Sequence, residues 1–268
     1  MNTKLTAIVL SAGKGLRMGG TTPKQYMDLC GRPVLAYSLL AFENSLVDEI
    51  VVVCGKGDED YVRKEILEKY YIKKAVKIVP GGKERYDSVY NGLLACESGE
   101  TSTRTERKIA SPALPLSVRY RKNARTKTVT KEEKTGYVFI HDGARPLITP
   151  EMIEKLYNEV QVKKAVVAAC PVKDTIKVAA ENGEVLSTPD RSTLWQVQTP
   201  QVFEYGLIRT SYEKLIASGI KTATDDAMAA ESFSGEKVYL INTGASNIKL
   251  TTPEDFAVAE ALLSKKIK

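Results

Sequence analysis

The chain has 268 residues, 43% of them hydrophobic, which is enough to bury a substantial core and suits one large α/β domain over residues 1–268. Its four cysteines are widely spaced with no C-x-x-C pair, so reduced thiols are expected, buried at Cys54 and Cys170, which sit in apolar runs. No apolar stretch approaches the roughly 18 residues of a membrane span, and no signal-peptide pattern is visible, so a soluble, cytoplasmic protein is expected. The net charge of +6 is local: residues 101–136 hold ten Lys and Arg against three Glu, a surplus of seven, and the remainder sums to −1.

Residues 6–10 form the first β-rich apolar run, followed by 50–54, 76–79, 137–141 and 165–170. Between these runs the periodicity turns helical. Pro33 can open a helix to about Glu43, Asp58 can cap another to Tyr70, and residues 84–96 repeat apolar positions at 3.6 spacing. Strands alternating with helices predict a doubly wound, mostly parallel sheet, whose ligands bind outside the carboxyl ends of the strands. Residues 101–136 carry Pro112, Pro115 and many Ser and Thr with little periodicity, and read as a basic surface-loop insertion; a solvated charge run explains them more simply than a nucleic-acid patch. Residues 175–188 alternate on either side of Asn182-Gly183, a β-hairpin signal. That hairpin has no partner sheet in the main fold and is expected to protrude as an arm, residues 171–198, of the kind that packs on a second subunit. Strands near 237–241 and 247–250 and a helix opened by Thr252 and Pro253 close the chain.

The candidate chemistry lies just after the strands. Behind the first come Ser11-Ala12-Gly13-Lys14-Gly15-Leu16-Arg17-Met18 and then Pro23-Lys24-Gln25. Small residues let the backbone approach a ligand and its N–H groups cradle phosphate oxygens, while Arg17 and Lys24 add fixed positive charge. Neither a P-loop nor the full dinucleotide fingerprint is present. Gly81-Gly82-Lys83 follows the third run, with Ser88 in the next helix. Asp142, after the run at 137–141, is placed for a metal or a substrate hydroxyl, with Gly143 beside it and Arg145 suited to gripping phosphate. His141, the only histidine, reads as structural rather than as a base.

Together these segments, with G-G-K-E-R-Y-D-S-V from Gly81, H-D-G-A-R-P from His141, V-K-D-T from Val172, P-D-R from Pro189, Q-T-P-Q from Gln198, T-D-D-A from Thr224 and N-I-K-L-T-T-P-E-D from Asn247, resemble the 2-C-methyl-D-erythritol 4-phosphate cytidylyltransferase family of the sugar nucleotidyltransferases. The clear departure is residues 101–136, where that family has a short connection. The resemblance implies a Rossmann-like nucleotidyltransferase fold and transfer of CMP from CTP to a sugar-alcohol phosphate with release of pyrophosphate, a step of non-mevalonate isoprenoid synthesis. It implies that Arg17 and Lys24, in the loop of Lys14 and Gly15, hold the triphosphate and stabilise developing charge. Gly82, Lys83 and Ser88 would surround the cytosine, with Ala12 and Gly13 opposite. Thr175, Arg191 and Lys249 would bind or orient the alcohol phosphate, with Thr251 nearby and Arg191 reaching into a neighbouring subunit's site, which implies a homodimer.

The nucleophile in this reading is a substrate phosphate oxygen, already ionised at neutral pH, so little is gained from a general base. Mg²⁺ or another divalent cation, held largely by phosphate oxygens with Asp142 as a candidate ligand, would offset the repulsion between two anions. A ribitol-5-phosphate cytidylyltransferase shares the scaffold; Ala144 before Arg145 and the stretch 174–188 favour methylerythritol. A non-catalytic nucleotide- or RNA-binding protein using the basic insertion is the alternative of another class, and the intact set of Arg17, Lys24, Asp142 and Lys249 speaks against it.

Overall fold

The computed structural model describes residues 3–13, 22–97, 136–220 and 223–266. Along the chain run β1 (Lys4–Ser11), the short pair β2 (Asp28–Leu29) and β3 (Arg32–Pro33), α1 (Val34–Glu43), β4 (Glu49–Cys54) and α2 (Glu59–Tyr61). A π-helical stretch, Val62–Glu68, continues α2 and leads to β5 (Ala75–Pro80) and α3 (Arg85–Glu97). Next come β6 (Gly136–Asp142), α4 (Pro150–Lys163), β7 (Ala165–Pro171), β8 (Val178–Ala179), β9 (Val185–Ser187) and β10 (Trp195–Glu204). The chain ends with α5 (Tyr205–Ser218), α6 (Asp226–Phe233), β11 (Tyr239–Asn242) and α7 (Pro253–Lys266).

Seven strands form one sheet in the order β11-β7-β10-β6-β1-β4-β5. β1 pairs in parallel with β4 on one side and β6 on the other, whereas β10 runs antiparallel between β6 and β7. The order reverses at β1, and such a switch point leaves a crevice beyond the strand ends.

Helices cover both faces, and β4 is apolar without interruption from Ile50 to Cys54, as buried parallel strands are. In β4, Ile50, Val52 and Cys54 pack with Leu35 and Phe42 of α1 and Leu156 of α4. Val51 and Val53 face the other way, onto Val89 and Leu93 of α3 and Ile208 of α5. This is the two-residue period of a strand, and each fully buried aliphatic side chain contributes about 1.5 to 3 kcal/mol. A third cluster, Leu29, Val34, Leu147, Leu250 and Ala259, seats α7 and with it the segment that carries Lys249.

The five apolar runs are strands, and the hairpin is present as the separate pair β8–β9, with Gly183 in the left-handed region at φ +87°. Several local expectations give way. Asp58 stands before α2 but makes no side-chain cap; its carboxylate accepts from the Tyr26 hydroxyl at 3.1 Å. Pro33 precedes α1 rather than opening it. Residues 247–250 form no strand, and among the described residues the side of β11 away from β7 carries none. Gly136, assigned from the sequence to the insertion, pairs with Lys4 as the first residue of β6, and a Cβ there would stand 2.5 Å from the Lys4 carbonyl oxygen. Residues 101–135 lie outside the described residues, as do Lys14, Gly15 and Arg17.

Cys54, Cys96 and Cys170 are buried, Cys30 is exposed, and all four are free thiols. Among the described residues no helix is long and apolar enough to cross a membrane.

Candidate active site

A cleft of about 550 Å³ lies at the carboxyl ends of β1, β5 and β6. Its first wall is the turn after β1, where Ala12 and Gly13 leave the backbone open to a ligand, together with Lys24 and Gln25. Gln25 is buried and donates from Nε2 to the carbonyls of Ser11 at 2.6 Å and Gly13 at 3.0 Å. These two bonds tie the single 3₁₀ turn Lys24–Tyr26 to the small-residue loop, so Lys24 is held against it.

The second wall is Gly82, Lys83, Glu84 and Ser88. The Gly81 N–H donates to the Cys54 carbonyl at 2.7 Å, and a Cβ on Gly81 would lie 2.3 Å from that of Ala12. The two walls therefore approach too closely for any side chain at this position. Ser88 shapes the same turn: its hydroxyl accepts from the Gly82 N–H at 3.0 Å and donates to the Glu84 carbonyl at 3.2 Å.

The third wall carries most of the charge. Asp142, at the end of β6, lies 2.8 Å from Lys249 Nζ, 3.8 Å from Arg85 Nε and 4.0 Å from Arg145 Nε. Burial alone would raise its pKa, but Arg85, then Lys249 and Arg145, hold the carboxyl well below the usual carboxylate range. Lys249 is fixed from several sides. Leu250 is fully buried and its N–H donates to the Ala144 carbonyl at 2.9 Å. Asn247 donates from Nδ2 to the Thr199 carbonyl at 2.7 Å.

His141 points away from this chemistry. Its Nε2 faces the Arg145 carbonyl at 3.3 Å, which only accepts, so that nitrogen carries the proton and Nδ1 accepts from the Thr199 hydroxyl at 3.1 Å. The same hydroxyl accepts from the Asp142 N–H at 3.0 Å. Burial, opposed in part by Asp142, pushes the ring's pKa down to about 4, so it is neutral and structural. The pairing of β10 with β7 shifts between Val197 and Gln201, an irregularity of the kind that re-aims side chains beside active sites, and Thr199 lies within it.

The cleft thus gathers Ala12, Gly13, Lys24, Gly82, Lys83, Ser88, Asp142 and Lys249. Gly143 lies behind it, where a Cβ would meet Leu35 Cδ1 at 2.8 Å. Arg145 is turned to the structure itself, donating from Nη1 to the Asn247 carbonyl at 2.7 Å. Thr251 braces the neighbouring segment, with its N–H on Asp255 Oδ2 at 2.6 Å and its hydroxyl on the Lys249 carbonyl at 3.1 Å. Thr175 and Arg191 are exposed on the arm and do not line this cleft; Arg191 donates to the Lys173 carbonyl at 3.0 Å.

Sequence reasoning missed Gln25, Arg85, Thr199 and Asp226. All four stand inside segments that carried the resemblance. Asp226 also had its own signal, a second carboxylate at the head of the small apolar helix Asp226–Phe233, which must find a cation if it is buried.

A resident metal centre does not fit the side chains present. Among the described residues no group of three or more His, Cys, Asp or Glu is gathered as a cation cage, and of the carboxylates lining the cleft Asp142 already faces three cationic groups. The donor set would suit instead a cation carried in on phosphate oxygens, with Asp142 the candidate protein ligand.

A sequence profile described as 2-C-methyl-D-erythritol 4-phosphate cytidylyltransferase matches residues 5–104 and 120–265, breaking off inside the basic segment. Proteins of that name from Lachnoclostridium phytofermentans and Lachnospira eligens are 41% and 43% identical to the chain over 260 residues each. The matches cover 97% and 96% of this chain, and 96% and 98% of those proteins. A crystal structure of the 4-diphosphocytidyl-2C-methyl-D-erythritol synthase from Anaerococcus prevotii superimposes with a TM-score of 0.73 at 32% identity, over 98% of this chain and 99% of that one. Matched by profile, relatives and structure over nearly its whole length, the chain belongs to the 2-C-methyl-D-erythritol 4-phosphate cytidylyltransferase family.

Proposed function

We propose that the chain transfers CMP from CTP to 2-C-methyl-D-erythritol 4-phosphate, yielding the cytidine-diphospho alcohol and pyrophosphate. A phosphate oxygen of the alcohol phosphate attacks the α-phosphorus of CTP, the new P–O bond forms, and the bond to the bridging oxygen breaks as pyrophosphate departs. The observation that carries this reading is a single cleft with two unlike halves. On one side small residues and Lys24 suit a nucleotide and its triphosphate, and on the other Asp142 and Lys249 suit a hydroxylated phosphate.

The work left to the protein is positioning and charge. Lys24, with Arg17 of the adjoining loop, steadies the triphosphate and the charge that grows on it in the transition state. Gly82, Lys83 and Ser88, facing Ala12 and Gly13, form the side of the cleft that takes the cytosine. A divalent cation bound with CTP, Mg²⁺ or another, would neutralise phosphate charge. No base is needed, in keeping with a neutral His141 held by Thr199 and Arg145.

The arm supports a homodimer. Ile176, Val178, Val185 and Leu186 are 41%, 45%, 55% and 63% exposed, an apolar patch suited to a second copy. In that arrangement Thr175 and Arg191 complete the partner's alcohol-phosphate site. The protein is read as soluble and cytoplasmic.

The test is pyrophosphate release from CTP with methylerythritol phosphate and, separately, ribitol 5-phosphate. Release with the first and little with the second is expected. Preference for ribitol 5-phosphate would transfer the reading to the sister activity, and no release with either, together with salt-sensitive nucleic-acid binding, would favour a non-catalytic binding protein.

A further inference from the structure

Asp226 is fully buried, opens α6 and does not itself line the cleft. Its two oxygens accept a fork of hydrogen bonds from Arg85, Nη1 to Oδ1 at 2.8 Å and Nη2 to Oδ2 at 2.7 Å. The Tyr212 hydroxyl of α5 donates to Oδ1 as well. With both terminal nitrogens engaged, the guanidinium cannot rotate, and its remaining N–H side, at Nε, lies 3.8 Å from Oδ1 of Asp142. Lys249 approaches the other oxygen of that carboxylate. The result is a row of alternating charge, Asp226, Arg85, Asp142, Lys249, which starts in the core and ends in the cleft.

We propose that Arg85 is a positioning residue for the alcohol-phosphate half of the cleft: braced by Asp226 and Tyr212, it fixes the carboxylate of Asp142 and, through it, the ammonium of Lys249. This rests on the reading of the cleft given above. Arg85 lines the cleft, but its two terminal nitrogens are held by Asp226 and its Nε edge is turned to Asp142, so it is placed to act through that carboxylate. Without Arg85, Asp142 would keep only the side of its carboxylate that faces Lys249 and Arg145, and would draw the Lys249 ammonium away from an incoming phosphate. Lysine is no substitute, because an ammonium cannot hold Asp226 with a planar fork while turning a charged edge to Asp142.

Removing one member alone leaves a buried charge unpaired, and loss of fold would mask the effect, whereas replacing a buried ionic group with apolar residues of similar volume is often tolerated. The experiment therefore compares wild type with the triple variant Arg85→Met, Tyr212→Phe, Asp226→Leu and with Arg85→Lys. Thermal melting and both Michaelis constants are measured for each. The triple variant is expected to melt cooperatively while its KM for the alcohol phosphate rises about tenfold or more, with KM for CTP little changed. Arg85→Lys should show the same selective rise to a smaller degree. A folded triple variant with wild-type constants overturns the proposal, as does Arg85→Lys with wild-type constants if the triple variant does not fold. A rise shared equally by both substrates also overturns it, since that marks general distortion. Wild-type turnover in the same assay checks the underlying reading on its own: an inactive wild type sinks both, and an active wild type with unaltered variants sinks only the role of Arg85.

Discussion

Lys249 Nζ and Asp142 Oδ2 lie 2.8 Å apart, one on the segment before α7 and the other at the end of β6. The lysine side chain is 40% exposed, so the contact adds little to stability and is best understood as setting a cation in the cleft. Lys249→Ala should therefore lower kcat/KM for the alcohol phosphate by about 100-fold, as when a group aimed at reacting charge is lost, and leave the melting temperature nearly unchanged. Steady-state kinetics beside a thermal melt check this; unchanged kinetics would remove Lys249 from the site.

Lys24→Ala should cut turnover by about 100-fold or more for the same electrostatic reason. Gln25→Leu gives a companion test, because Gln25 ties the loop through the carbonyls of Ser11 and Gly13 without lining up as a charge. Leucine there leaves two carbonyls without a donor, so this variant should lose both activity and melting temperature, whereas Lys24→Ala should lose activity alone. Similar melting losses in the two variants would contradict the division of labour.

What was legible in the sequence follows the range of the interactions that made it so. The runs ending in Ser11 and Asp142 lie inside the sheet and are largely buried, and such strands announce themselves as continuous apolar segments, as does the partly buried edge run ending in Pro80. Residues at or just beyond their ends, Ala12, Gly82 and Asp142, then fall at the cleft without further information. Arg85 and Asp226 are 141 positions apart, and no local period connects them. Asp58 failed as a cap for a related reason, since the competing donor, the Tyr26 hydroxyl, is 32 residues distant. The segment after β11 has strand-like composition, but strand identity also needs a neighbour, and Leu250 finds only the Ala144 carbonyl.

Arg191 lies on the arm and does not line the cleft of its own chain. If the arm serves the partner's site, Arg191→Ala should raise KM for the alcohol phosphate far more than for CTP. Mixing Arg191→Ala with Lys24→Ala protein should then restore partial turnover, because one of the two sites in a mixed dimer receives both native residues. Absence of recovery in mixed dimers verified by mass would count against a shared site.

His141 sets a dependence of stability on pH. In the unfolded chain the imidazole takes up a proton near pH 6.5, whereas in the native site it does so only near pH 4. Between those values the unfolded state binds the extra proton, so stability falls as pH falls, and the contribution levels off below about pH 4. At about 1.36 kcal/mol per pH unit, the loss accumulates to about 3 kcal/mol across that window. Carboxylates such as Asp142, held ionised in the native state, add their own loss on acidification, so the histidine is isolated by difference. Urea unfolding of wild type and His141→Asn at a series of pH values from 7 to 4 provides the measurement. The variant should begin less stable at pH 7, having lost the links to Thr199 and Arg145, and should then lose less stability than wild type on the way to pH 4. Parallel pH curves for the two proteins would mean that the imidazole is not held neutral in the native state.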